Sequence, residues 1–201
     1  MSFRSVDLPA TVSRQSDGRR RRTERSRLAV IEASLAMALA TKRIPTARQV
    51  AERVSLTERT IFNLFNGKQE IMFAAVLAFR VQALARLPEV PNVTDFEKRV
   101  HLFFEELAPL MEDYATVRWI TLTASETVPD VERGVVAQAL KARVYELLER
   151  GDGSSMPESR RAALHAAIDP TTWRIYRTQQ KLTMAQSVRA VAASVIALTK
   201  E

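Results

Sequence analysis

The chain has 201 residues, 46% of them apolar, with 5 glycines and no cysteine. This composition supports a buried core, favours helix over many short strands, and excludes disulfides, thiolate metal sites and thiol nucleophiles. The net charge of +7 is unevenly placed: residues 1–70 carry 14 Lys and Arg against 7 Asp and Glu, whereas residues 71–201 carry 16 of each, so the first third suits a polyanion such as DNA, RNA or an anionic membrane.

Residues 1–18 are polar and aperiodic and read as a disordered arm. They lack the unbroken apolar stretch of a signal peptide, and no later window is apolar enough to span a bilayer, so a cytoplasmic location is expected. Arg19, Arg20, Arg21 and Arg22 follow, continuing through Arg25 and Arg27 into a helix whose Leu28, Ile31, Leu35 and Leu39 share one face and which ends near Thr41. The arginine run either keeps the chain soluble or meets phosphates, and the unit that follows favours phosphates.

Thr46 is positioned to cap a short helix, with Gln49 at the reciprocal place and Val50, Ala51 and Val54 facing inward. Ser55-Leu56-Thr57 then forms a turn with an apolar plug. Either Thr57, or Ser55 paired with Glu58, caps the next helix, which runs from Glu58 to Phe65 with Ile61, Leu64 and Phe65 inward and Asn66-Gly67 as a left-handed stop.

Beyond Lys68, a helix over residues 69 to about 87 ends at Pro88 and Pro91. Thr94 and Glu97 form a capping box for a helix reaching about residue 113, and a separate helix is expected over 117–126. Further helices are expected over 129–150 and over 157–180 with a bend near Pro170, separated by a loop at 151–155. Thr183 and Gln186 cap a last helix to about residue 200. The fold class is therefore all-α: an N-terminal three-helix unit over 19–70 and a helical body over 71–201.

Two short helices joined by a tight turn, the second with polar residues outward, have the organisation of a helix-turn-helix or of a plain helical hairpin. The wider segment decides between them. Thr46, the Val50-Ala51 pair, the Thr60-Ile61-Phe62 step, Phe65 and Lys68 stand in a gapless stretch over 46–71 that resembles the signature of TetR-type transcriptional repressors. The resemblance covers residues 25 to about 79 well and the body more weakly. It implies that Thr46, Thr60 and Lys68 meet phosphates, and that Glu58, Arg59, Phe62 and Asn63 reach base edges or the flanking backbone, with Arg48 a further candidate. Two positions depart from the family: Ser55 stands where glycine is usual, so a turn conformation tolerable to a side chain is expected, and Phe62 stands where tyrosine is frequent, removing a phenolic hydrogen bond to phosphate.

The resemblance further implies a homodimer on a near-palindromic double-stranded operator, released by an apolar or amphipathic small-molecule effector. In the last helix Met184, Val188, Val191, Val195 and Leu198 recur at three- and four-residue intervals. On spacing alone they are core or interface; the resemblance favours a dimer interface. Phe103, Phe104, Leu107, Met111, Trp119, Leu122 and Tyr145 are candidates for the effector cavity, with ordinary core as the competing reading. No catalytic constellation, cofactor or metal site is expected: His101 with Glu105, and His165 with Asp169, are two-ligand pairs better read as solvated helix faces. The competing non-DNA reading is a basic amphipathic anchor at a membrane surface over residues 19–39.

Overall fold

The computed structural model describes residues 11–123, 131–149, 153 and 155–199. The first ten residues of the expected arm, most of the 151–155 loop and the expected helix ends at 124–126, 129–130, 150 and 200 lie outside the described residues. The rest is helical: α1 (Thr11–Thr41), α2 (Ala47–Arg53), α3 (Glu58–Leu64), α4 (Lys68–Ala85), α5 (Phe96–Thr123), α6 (Val131–Leu147), α7 (Glu158–Ala167), α8 (Pro170–Arg174), a π-helical turn (Ile175–Gln179) and α9 (Met184–Thr199). Among the described residues no helix is long and apolar enough to cross a membrane.

Helix α1 begins at Thr11, so residues 11–18 of the expected arm are helical. Its buried side is Val30, Ser34, Leu35 and Ala38, while Leu28 is 59% exposed. At ~100° per residue this face is turned by roughly 80° from the expected Leu28–Ile31–Leu35–Leu39 stripe. The turn brings Arg27 onto the inner side. It also commits the apolar side of α1 to the protein, the side a membrane anchor would need.

Val30, Val50, Ala51, Ile61, Phe65 and Ile71 form the core of the N-terminal unit. Fully burying a side chain such as Ile61 or Phe65 contributes about 1.5–3 kcal/mol. Helix α4 spans two cores: Ile71 closes this first one, and Ala75, Val76 and Phe79 enter the larger core of the body. A small cluster of Ala38, Met72 and Ile120, with Ile44 against it, joins α1, α4 and α5 where the two cores meet.

Helix α5 is the axis of the body, with α8 and α9 packed along it. Its cap is Asp95, whose Oδ1 accepts the Lys98 amide at 2.8 Å, in place of the expected Thr94. It is one helix where two were expected, and it carries Pro109 inside it. Proline there leaves the carbonyl of Glu105 without its helical donor, yet Pro109 and Glu105 are both exposed, so water can satisfy that oxygen. The expected 157–180 helix is instead divided at Ile168-Asp169, because Pro170 has no amide hydrogen and takes the first position of α8, capped by Asp169. Thr183 and Gln186 do cap α9, through bonds of 2.8 and 3.2 Å.

Two sets of expected site residues are placed differently by this packing. Phe103, Phe104, Leu107, Met111 and Tyr145 are buried in the body core, Phe103 against the edge of Phe104 at 5.3 Å, and the described clefts are lined by other residues. Trp119 and Leu122 are largely exposed. Val188, Val191 and Val195 are likewise buried within the chain, with Leu198 packed on the same core, because α5 and α7 cover that side of α9. The outward side of α9 carries Gln186, Arg189, Ala193 and Ala197.

Candidate nucleic-acid interface

The turn between α2 and α3 is built from local hydrogen bonds. The Thr46 side chain accepts the Gln49 amide at 3.2 Å and Gln49 Oε1 accepts the Thr46 amide at 2.9 Å, closing the expected capping box on α2. At the far end the Leu56 amide donates to the Ala51 carbonyl at 2.9 Å and the Ser55 amide to the Glu52 carbonyl at 3.4 Å. These are the two bonds of a Schellman stop, a geometry that places its pivot residue in the left-handed region. Ser55 has φ 54 and therefore occupies the conformation for which glycine is the usual choice. Thr57 is the cap of α3: its hydroxyl accepts the Thr60 amide at 3.1 Å and lies 2.8 Å from the Thr60 hydroxyl.

With Ile61 and Phe65 held in the core, α3 turns Glu58, Arg59, Phe62 and Asn63 to solvent. Phe62 is 52% exposed, an unusual position for an aromatic ring unless it meets something. Thr46, Arg48 and Lys68 are exposed as well, and Thr60 is half-buried. Arg48 pairs with Glu52 at 3.0 Å, an exposed pair on successive turns of α2. The hydrogen bond from Glu52, followed by the charges of Glu52 and Glu58, holds the guanidinium still more firmly protonated.

Gly67 has a different role from the expected stop of α3. Phe65 ends that helix in extended backbone, and Gly67, with φ 125, caps α4 and sets Lys68 at its first position. A side chain at residue 67 would meet no atom within 4 Å, so the backbone conformation alone accounts for glycine. The amides of the first turn of α4 and the Lys68 ammonium thus lie together, a combination that favours a phosphate.

Arg27 is the residue that sequence reasoning missed. Its guanidinium lies 4.2 Å from the centre of the Phe65 ring, donates to the carbonyl of Leu64 and pairs with Glu70. The other Glu70 oxygen accepts the Asn66 backbone amide at 2.7 Å and its side-chain amide at 3.0 Å. The Arg27 hydrogen bond, with the Asn66 amide second, holds the Glu70 carboxyl below its ordinary value. Arg27 therefore fastens the end of α3 to α1 and α4. The available signal was its position one residue before the expected apolar stripe.

Arg19 to Arg22 are exposed on α1, with Arg20 paired to Glu24 at 3.2 Å. Helical geometry fans four consecutive side chains around the axis at ~100° steps, so they cannot all face one phosphate track. Among the described residues no three His, Cys, Asp or Glu side chains group to hold a metal ion.

Farther from this surface, Glu112 on α5 accepts Trp173 Nε1 at 3.0 Å and Arg177 Nε at 2.9 Å through one oxygen, and lies 3.4 Å from Lys42 Nζ through the other. Although burial opposes it, these donors hold the Glu112 carboxyl below its ordinary value. Lys42 follows directly on α1, so this cluster is a polar tie between body and N-terminal unit. Trp119 lines a cleft of about 100 Å³ beside Glu112 and stacks under Arg174 at 3.7 Å.

Among solved structures, the chain is similar to a TetR-family transcriptional regulator from Streptomyces coelicolor, with 15% identity and a TM-score of 0.67 over 88% of this chain and 82% of that one. A transcriptional regulator from Rhodococcus sp. Rha1 gives 19% identity and a TM-score of 0.60 over 88% of this chain and 95% of that one. A chain from Shewanella sp. PV-4, provisionally assigned to the TetR family, gives 14% identity and a TM-score of 0.53 over 86% and 95% of the respective chains. Neither protein-family models nor curated proteins return a match. The fold of TetR-family regulators, a helix-turn-helix unit followed by a helical body, is thereby shown for this chain.

Proposed function

We propose that a chain with this fold acts as a DNA-binding transcriptional regulator, in its simplest form a repressor that binds a palindromic operator as a homodimer and is released by a small molecule. The observation that carries the reading is the outward side of α3. Glu58, Arg59, Phe62 and Asn63 are exposed together on a helix whose other side is fixed by Ile61, Phe65 and the Arg27 clasp.

Such a helix fits the major groove, about 12 Å wide. Arg59 can donate to O6 and N7 of a guanine, Glu58 can accept from a cytosine, and Phe62 can touch a thymine methyl. Thr46, Thr60, Lys68 and Arg48 border this surface and suit the flanking phosphates, with the arginines of α1 adding a sequence-independent attraction. In the dimer the outward side of α9, with its small Ala193 and Ala197, allows two helices to approach closely, and the two copies of α3 stand about 34–36 Å apart, one turn of DNA.

Release follows from a shift of population. A ligand that prefers one setting of α5 changes the contacts of Ile120 with Ala38 and Met72 and of Glu112 with Lys42, and with them the spacing of the two DNA-reading units. Selection of bound duplexes from a random pool tests the reading. A two-fold-symmetric motif is expected; no retained duplex, even in dilute salt, would rule it out.

A further inference from the structure

We infer that the cleft between α5, α6 and α7 binds a small molecule with an anionic head on an apolar body, the head seated by Lys141, Arg118 and His165. This rests on the regulatory reading above and assigns the chemical class of its effector. The cleft has a volume of about 430 Å³ and is open to solvent on one side. That is within the usual range for small-molecule sites. Tyr114, Ala137 and Pro170 supply apolar wall beside the three basic side chains.

The charge of this cleft is unbalanced. Two cations and an imidazole are set against one carboxylate, Asp169, whose Oδ1 is already committed to the Thr171 amide at 2.7 Å as the cap of α8. Lys141 is half-buried and makes no hydrogen bond or ion pair among the described residues. Other half-buried cations of the body are matched: Arg86 with Asp113, Arg143 with Glu89 and Glu146, Arg177 with Glu112. A partly desolvated ammonium without an anion is unfavourable, and a bound carboxylate or phosphate removes that cost.

His165 completes the seat. Its Nε2 lies 2.6 Å from the Tyr145 hydroxyl, which fixes the ring and leaves Nδ1 unengaged by that bond. Burial first, then Lys141 and Arg161, hold the imidazole below its ordinary pKa, in keeping with positive charge crowded around it. A neutral ligand would leave this crowding uncompensated, and a bare inorganic anion would leave the apolar wall wet. Tyr114 and Arg118 lie on the stretch of α5 that also carries Glu112 and Ile120, the two residues in contact with Lys42 and with Ala38 and Met72. An occupant of the cleft therefore acts on the helix that touches the N-terminal unit.

Calorimetric titration of the full chain with 1-naphthoate, 1-naphthyl phosphate and the neutral 1-naphthamide tests the assignment, the first two arms separating a carboxylate head from a phosphate. At least one anion is expected to bind saturably and about tenfold or more tighter than the amide. Lys141→Glu should weaken that anion by about tenfold or more while the thermal midpoint is held, and Lys141→Arg should retain it. Equal affinity for anion and amide, no saturable binding of either anion at millimolar concentration, or an unchanged affinity in Lys141→Glu would overturn it. Duplex binding by the same preparation separates the two readings: DNA binding without anion selectivity removes the inference alone, and anion selectivity without DNA binding removes the regulatory reading alone.

Discussion

Replacing Ser55 with glycine should make the protein more stable. Ser55 has φ 54 at the pivot of the α2–α3 turn, where an L side chain costs about 1–2 kcal/mol relative to right-handed backbone. Glycine removes that penalty but loses about 0.5–1 kcal/mol more conformational entropy on folding. The side chain of Ser55 is exposed and makes no hydrogen bond among the described residues, so nothing else is lost with the hydroxyl. The difference is a gain of about 0.5–1 kcal/mol, which for a chain of this size raises the melting midpoint by about 1–4 °C. Ser55→Val provides the opposite sign, since β-branched residues are the least tolerant of the left-handed region. Calorimetric melting or urea titration of the three proteins measures the series. Loss of stability in Ser55→Gly, or no loss in Ser55→Val, would refute the assignment of strain to this turn.

Arg27→Ala should loosen the end of α3, seen as faster amide exchange in 61–65 and weaker operator binding, and Arg27→Lys should rescue little because an ammonium cannot reproduce the forked bonds to Leu64 and Glu70. The Glu70 carboxyl is held below its ordinary 4.5, so its contribution is fully present above that pH and fades as pH falls through the lowered value; Glu70→Gln should flatten the acid limb of a stability–pH curve. Gly153→Ala should cost about 1–3 kcal/mol in urea titration, because φ is 78 and a Cβ would sit 2.3 Å from Cε1 of Tyr145, a ring tethered to His165. Glu112→Gln should cost about 1–3 kcal/mol by leaving Trp173 Nε1 and Arg177 with a weaker acceptor, measured by thermal melting. Arg59→Ala should relax preference at one operator position in a binding-site selection; equal loss on every duplex would move Arg59 to the backbone.

The candidate surface was largely legible in advance because its parts are local. Thr46 and Gln49, Thr57 and Thr60, and the placement of Glu58, Arg59, Phe62 and Asn63 opposite Ile61 and Phe65 all follow from residues three or four apart. The places where the reading slipped share a different cause. Leu28 belongs to a good apolar stripe and Val188, Val191 and Val195 to a better one, yet the first is outside and the valines are inside their own chain. Periodicity states that a helix has an apolar side; which neighbour covers that side is settled by elements distant in sequence.

The amino-acid order by itself thus determined the helices of the N-terminal unit, their caps and turn, and the concentration of positive charge beside them, since each depends on hydrogen bonds and charges within a few residues. Tertiary structure alone decided the rotation of α1 that recruits Arg27, the continuity of α5 through an exposed Pro109, the burial of the α9 valines, and the gathering of Arg118, Lys141 and His165 around one cleft. Those outcomes require groups from separate helices to compete for the same space, and that competition has no counterpart in any short window of sequence.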